Sequence, residues 1–506
     1  MPRLSATLAA LALLAVAAGC AGSQTTAASA PPAAAPAAPV PTGPAPSGVA
    51  RVGYDAAALD YPELGEVRLP DVRRVTLPNG LRLLIVEDPG LPLVGASALV
   101  QTGEVAVPDS LAGLAGVAGQ AIRAGGTPTL APDDVDLLLE NVGATLELYV
   151  GETSGSVFME APSEHADRVL RVLADLLARP ALAPAGVEQA LAQARGLVER
   201  ADAVPLLVVN REFARLVYDE GSPYARQPTA ATLARIGRDD VARFHRRHVR
   251  PEETLVSVWG DVDADHVEAL LRDAFAGWTA SPDAPPPLPE PTGTPAYTVA
   301  HVQRDGLDQS TVRLGYLGRL TYRDPDYAAV LVMNEVLSGG PSSRLFRSVR
   351  TEQGLAYSVR AQYWPGYDVP GPFMAEVQTS AGQTVRAARA VVDEIEGMLS
   401  NPPTDAEVVL ARESFLNSYV FNFASKWGLL DRLMGYEAHG YPRDFLRQTQ
   451  AAVAAVTAED VARVAREYLR PDRLSIVVLG DAAGFDAPLS ALARGGDVRQ
   501  LGAASE

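Results

Sequence analysis

The sequence predicts an α+β protein made of two copies of one sheet-and-helix unit, and three observations carry that prediction. The first is a repeat. Asp240-Val241-Ala242-Arg243 recurs as Asp460-Val461-Ala462-Arg463, and Arg250-Pro251 recurs as Arg470-Pro471. Val256, Val258 and Gly260-Asp261 return as Ile476, Val478 and Gly480-Asp481, and one offset of 220 residues serves every pair without a gap. Self-similarity at a fixed spacing marks duplication. The second is that both halves carry alternating strand-like runs beside runs of helical period, the ingredients of a sheet covered by helices. The third is a proline-rich break at residues 281–296, which parts the halves as a stiff linker.

In chain order, Met1-Pro2-Arg3 is a short positive start, and residues 4–18 are apolar but too short to span a bilayer comfortably. Small residues then lead to Cys20, so residues 1–20 read as a secretory signal. The Ala-Gly-Cys ending resembles the lipobox of bacterial lipoproteins, in which the cysteine is lipidated and becomes the new N-terminus. That resemblance implies a lipid tether on Cys20 and a place on the periplasmic side of the envelope, with the outer membrane favoured because Ala21 follows the cysteine. The alternative is a buried core cysteine. Cys20 is the only cysteine, which excludes an internal disulfide or a thiolate metal cluster. Residues 21–66 are dominated at first by Ala, Pro, Ser and Thr and read as a disordered spacer and lead-in.

The first unit is expected over residues 67–280. Residues 75–86 read as a hairpin around Asn79-Gly80, and residues 93–101 as a further strand. Val169, Leu170, Leu173, Leu176 and Leu177 have the spacing of an amphipathic helix over 165–179. A second helix is expected at 185–200. The second unit spans 297–484, with an answering helix at 385–399 and a shorter one at 342–350, and residues 485–506 form a tail. The two sandwiches are expected to hinge at the linker. A net charge of −18 excludes nucleic acid as a partner, because phosphates need a basic face.

Several short stretches occur in one order along this plan. They are Leu77-Pro78-Asn79-Gly80-Leu81, Gly113-Leu114-Ala115, Gly125-Gly126-Thr127, Phe244-His245-Arg246-Arg247-His248 before Arg250-Pro251, and finally the run from Ser343 to Val359. Together they resemble the M16 metallopeptidases, the pitrilysin and mitochondrial processing peptidase family, over about residues 67 to 484. Membership implies a helix bearing His-x-x-Glu-His directly after Gly113-Leu114-Ala115. Two histidines four apart share a helix face and can hold one zinc ion, and the glutamate polarises its water. Here the histidine positions are Gly116 and Gln120, and the glutamate position is Gly119. Glycine has no ligand atom, and a glutamine amide is a poor zinc ligand and no base.

The family's third ligand, a glutamate, maps near Glu199, which without the histidines reads as a solvated helix residue. Of six histidines only His245 and His248 are close. Arg246, Arg247 and Arg250 would repel a cation there, and positive charge suits a helix end. The chain is therefore expected to carry no metal or other cofactor of its own.

The resemblance also implies roles for Arg350 and Tyr357. The family's tyrosine at this point donates towards the scissile carbonyl oxygen, where charge develops during peptide hydrolysis, and its arginine holds substrate and segment in place. The other reading makes Arg350 a helix-end residue and Tyr357 an ordinary strand aromatic. Some bacterial M16 proteins work as pairs, one chain bearing zinc and the other bearing the arginine and tyrosine. This chain resembles the second kind. It is expected to pair with a zinc-bearing M16 subunit and to hold an unfolded peptide against a sheet edge. Two rival readings are a pseudoenzyme that serves as a structural or peptide-binding envelope module, and an active peptidase with a different metal site.

Overall fold

The structure is a computed structural model that describes residues 70–279, 287–294, 296–419, 421 and 425–502. Cys20, the spacer and part of the proline break (residues 281–286 and 295) lie outside the described residues. Leu64–Glu506 form one compact unit.

The first half begins with β1 (Arg73–Thr76), β2 (Arg82–Glu87) and β3 (Leu93–Val100), followed by α1 (Leu114–Ala124) and α2 (Pro132–Val142). Next come β4 (Thr145–Val150), β5 (Gly155–Pro162), α3 (Ala166–Ala178), α4 (Pro184–Ala201) and α5 (Pro205–Val217). It closes with α6 (Ala230–Leu233), α7 (Arg238–His248), β6 (Thr254–Gly260) and α8 (Ala264–Ala274). The second half holds β7 (Thr298–Gln303), β8 (Gln309–Leu317), α9 (Tyr327–Ser338), a π-helical turn (Phe346–Glu352), β9 (Ser358–Tyr363) and β10 (Pro372–Ser380). Helices α10 (Thr384–Ser400), α11 (Asp405–Tyr419), α12 (Lys426–Ala438), α13 (Phe445–Ala455) and α14 (Ala458–Tyr468) follow, then β11 (Ser475–Gly480) and β12 (Val498–Gln500).

Two six-stranded sheets result, in the orders β1-β2-β6-β3-β5-β4 and β12-β7-β11-β8-β10-β9. Five strands correspond between them, and the repeat read from the sequence maps onto α7 and β6 in one half and α14 and β11 in the other. The sixth strand differs. β1 is antiparallel to β2 through the Asn79-Gly80 turn, where Gly80 has φ +91°, whereas β12 returns from the end of the chain to lie parallel to β7. One face of each sheet carries the main core of its half, with α1, α3, α7 and α8 on the first and α9, α10 and α14 on the second.

The halves do not hinge as independent sandwiches. Each lends a helix to the other's remaining sheet face. Val208, Val209, Phe213 and Val217 of α5 pack against Val302, Val477 and Leu479 of the second sheet. In return α12 lies on the first sheet, where the Trp427 ring meets Phe158 and Trp259, each with centroids 4.9 Å away. Gly95 makes room for this, since a Cβ there would come within 1.9 Å of the Trp259 ring. Arg74 of β1 pairs with Glu437 of α12 at 2.9 Å, adding a polar clasp at the same junction. A linker alone permits hinging; two buried apolar faces with reciprocal owners oppose it.

Candidate functional site

Helix α1 is where a zinc site would stand. It starts at Gly113, whose φ of +99° suits a residue without Cβ. The Glu104 carboxylate accepts from Gly113 N at 2.5 Å and Ala115 N at 3.1 Å, satisfying amides that a helix start leaves unpaired. Burial pushes the Glu104 carboxyl up, and these two backbone bonds oppose the push. Gly116 faces open space, with no heavy atom within 4 Å of a Cβ built there. Gly119 is closed: a Cβ would lie 3.0 Å from Val150 N and 3.1 Å from Val150 Cγ2 on β4. Gln120 is exposed. The donor set does not fit zinc, and at position 119 any side chain would require α1 and β4 to part by a few tenths of an ångström.

Glu199 lies exposed on α4. His245 and His248 are buried at the end of α7. His245 Nε2 is 2.8 Å from Leu177 O, and His248 packs on the Phe244 ring at 4.9 Å. Burial first, then Arg247 and Arg250, lowers the His248 pKa to about 4. Each imidazole is thus accounted for by packing within the fold.

The structure brings Arg350 and Tyr357 together. The segment predicted as a helix over 342–350 is instead a π-helical turn, Phe346–Glu352, displaced towards its C-terminal end. π-Helical turns are rare and recur at functional sites. Gly354, at φ +60°, reverses the chain, and Leu355 N bonds Val349 O at 2.9 Å. Leu355 and Ala356 are buried, which pins the chain as it enters β9. Tyr357 is left 83% exposed, so packing against the core does not explain it. The Arg350 guanidinium carbon stands 5.2 Å from the Tyr357 ring centroid and 4.6 Å from that of Phe346. Arg350 is itself exposed.

Tyr357 sits at the mouth of a sheet edge. β9 is the last strand of its sheet and pairs only with β10. Much of its outer edge is already used, because Ser338 Oγ accepts from Ala361 N at 3.0 Å and Asn334 Oδ1 from Tyr363 N at 2.9 Å. Asn334 Nδ2 also donates to Tyr363 O at 3.0 Å. Among the described residues, the side-chain bonds from α9 reach β9 at Ala361 and Tyr363, towards the end away from Tyr357. Side chains from α9 thus blunt an edge that would otherwise invite pairing along its whole length.

Sequence reasoning missed three supports of this segment. Arg344 is buried and forks onto Glu407, with Nε–Oε1 at 2.8 Å and Nη2–Oε2 at 3.0 Å, while its Nη1 donates to Asn401 O at 2.8 Å. Asn334 and Ser338 cover the strand, and Phe346 lies under Arg350. Arg344 stood inside the segment singled out, but a surface arginine has the same sequence signature as a buried one.

Geometry and sequence together describe a duplicated α+β fold in which positions 116, 119 and 120 of α1 offer no good metal donor and the second half carries an exposed arginine–tyrosine pair. The model of the peptidase M16 inactive domain matches residues 235–415. An uncharacterized zinc protease of Streptomyces coelicolor is 26% identical over 423 residues, covering 82% of this chain and 91% of that protein. Among solved structures, a peptidase M16 inactive domain from Pseudomonas fluorescens superimposes with a TM-score of 0.74 at 22% identity, over 81% of this chain and 98% of that one. A protease from Helicobacter pylori gives 0.73 at 19% identity, over 81% and 100%. Residues 235–415 thus match the peptidase M16 inactive-domain model, and the fold of the chain is M16-like.

Proposed function

We propose that this chain is the zinc-less subunit of a two-chain M16 peptidase of the bacterial periplasm, tethered by a lipid on Cys20. The observation that carries the reading is a contrast within one molecule. Positions 116, 119 and 120 offer no metal ligands, and Gly119 is closed against β4, while Arg350 and Tyr357 stand together in solvent. A partner subunit would supply the zinc. An unfolded peptide would be held by main-chain hydrogen bonds at a sheet edge, which selects extended chains more than particular side chains. At the near end of β9, the Tyr357 hydroxyl would donate to a substrate carbonyl and the Arg350 N–H edge would hold the neighbouring backbone. A donor fixed where negative charge develops contributes about 3 kcal/mol to such a step.

The test is to co-purify the full chain with a zinc-bearing M16 protein encoded beside it and to follow cleavage of unstructured β-casein. Tyr357→Phe is expected to lower kcat/KM by about a hundredfold, with Arg350→Ala acting chiefly on KM. Unchanged cleavage by both variants would refute the reading in favour of a peptide-binding or structural module. Mass spectrometry of the mature N-terminus tests the lipid on Cys20 separately.

A further inference from the structure

We infer that Phe346 is the positioning residue of the Arg350–Tyr357 pair, an assignment that rests on the reading of that pair given above. A guanidinium is planar and weakly hydrated on its faces, so it stacks on rings while its N–H groups point outward in its own plane. Arg350 is exposed, and among the described residues its guanidinium meets two rings and no carboxylate. A long side chain held by nothing else in the fold would spread over many rotamers.

The two rings are not equivalent. Tyr357 is 83% exposed and is itself in want of support. Phe346 is half-buried and lies four residues before Arg350 on the π-helical turn, which Arg344 and the buried Leu345 and Val349 fix to the core. Phe346 is also the nearer ring, at 4.6 Å against 5.2 Å. The order of support therefore runs from the core to Phe346, from Phe346 to Arg350, and from Arg350 to Tyr357. Phe346 has no polar side-chain atom to offer a peptide. Its part is to hold the cation so that the N–H edge faces the substrate and the Tyr357 ring keeps its place.

Two variants and two readouts test this. In the full chain, the NMR shift of the Arg350 side-chain N–H reports ring stacking without any reference to activity. Phe346→Leu is expected to move that resonance to its unstacked position, and Phe346→Tyr to leave it in place. In the complex with the zinc-bearing subunit, Phe346→Leu is expected to raise KM for β-casein by about three- to fivefold with little change in kcat, and Phe346→Tyr to restore the wild-type value. An unmoved resonance in Phe346→Leu, or a Phe346→Tyr variant as impaired as Phe346→Leu, would overturn the assignment. If Arg350→Ala impairs cleavage and Phe346→Leu does not, this inference fails and the proposed function stands. If neither Arg350→Ala nor Tyr357→Phe matters, the proposed function fails, and the resonance still decides whether Phe346 places Arg350.

Discussion

Arg344 and Glu407 form a two-pronged ion pair that fastens the arginine–tyrosine segment to the first turn of α11, at 2.8 and 3.0 Å. Arg344 is the buried partner, with 7% of its side chain exposed against 26% for Glu407. The Arg344 hydrogen bond holds the Glu407 carboxyl down to about 2. The pair's stabilisation is therefore complete above the ordinary glutamate value of 4.5 and is lost as pH falls from there towards 2. Arg344→Ala is expected to cost about 2–4 kcal/mol in urea unfolding at neutral pH, with the deficit shrinking in acid. Arg344→Lys recovers little, because one ammonium cannot span both carboxylate oxygens.

Two glycines three residues apart on α1 make opposite predictions. Gly116→Ala meets open space and gains helix propensity, so it is expected to stabilise by about 0.5–1 kcal/mol. Gly119→Ala puts a methyl 3.0 Å from Val150 N and is expected to destabilise by about 1–2 kcal/mol. Denaturant midpoints of the two variants decide the matter. Equal and favourable shifts would show that α1 and β4 are not as close as described.

Glu335 points to a pH effect of the other sign. Burial raises its carboxyl from 4.5 to about 7, and the side chain folds over Gly339, where a Cβ would lie 2.0 Å from its Oε2. The folded protein holds this proton more tightly than the unfolded chain. The stabilisation is whole below pH 4.5 and is lost as pH rises through about 7. Glu335→Gln is expected to match wild type in mild acid and to be more stable by about 1–3 kcal/mol at pH 8. A constant difference across that range would refute the assignment.

Trp427 tests the exchange of helices. Trp427→Ala removes a ring that packs on Phe158 and Trp259 of the opposite half. It is expected to cost about 2–4 kcal/mol. Hydrogen exchange gives the sharper reading: amides of β3 and β6 should lose protection although the substitution lies on α12. Loss confined to the second half would contradict the reciprocal packing.

Much of this was legible in the sequence, for particular reasons. The repeat around Asp240 and Asp460 survives because both copies need the same helix, turn and strand at the same core. Gly116, Gly119 and Gln120 were legible because an absent ligand atom needs no structure to detect. Helices α3 and α10 declared themselves through apolar spacing. The crossing of α5 and α12 did not, since an amphipathic stripe announces that it will be buried and says nothing of whose sheet buries it. The π-helical turn was read as ordinary helix because side-chain pattern does not distinguish hydrogen bonds to the fourth residue from those to the fifth. The blunting of β9 depends on Asn334 and Ser338, polar residues on a mostly apolar helix, whose purpose appears only when the strand lies beside them.

The exchange of α5 and α12 also bears on how such a chain can change over generations. One copy in a duplicated chain is ordinarily free to erode or to be deleted. Here it is not, because α5 of the ligand-poor half shields the very sheet whose edge leads out from Tyr357. Removing the first copy would strip the second of its cover, so change is confined to individual side chains while the scaffold around them must stay. Any movement of one half against the other would have to break the apolar contacts of both α5 and α12, so the two halves travel as one rigid piece.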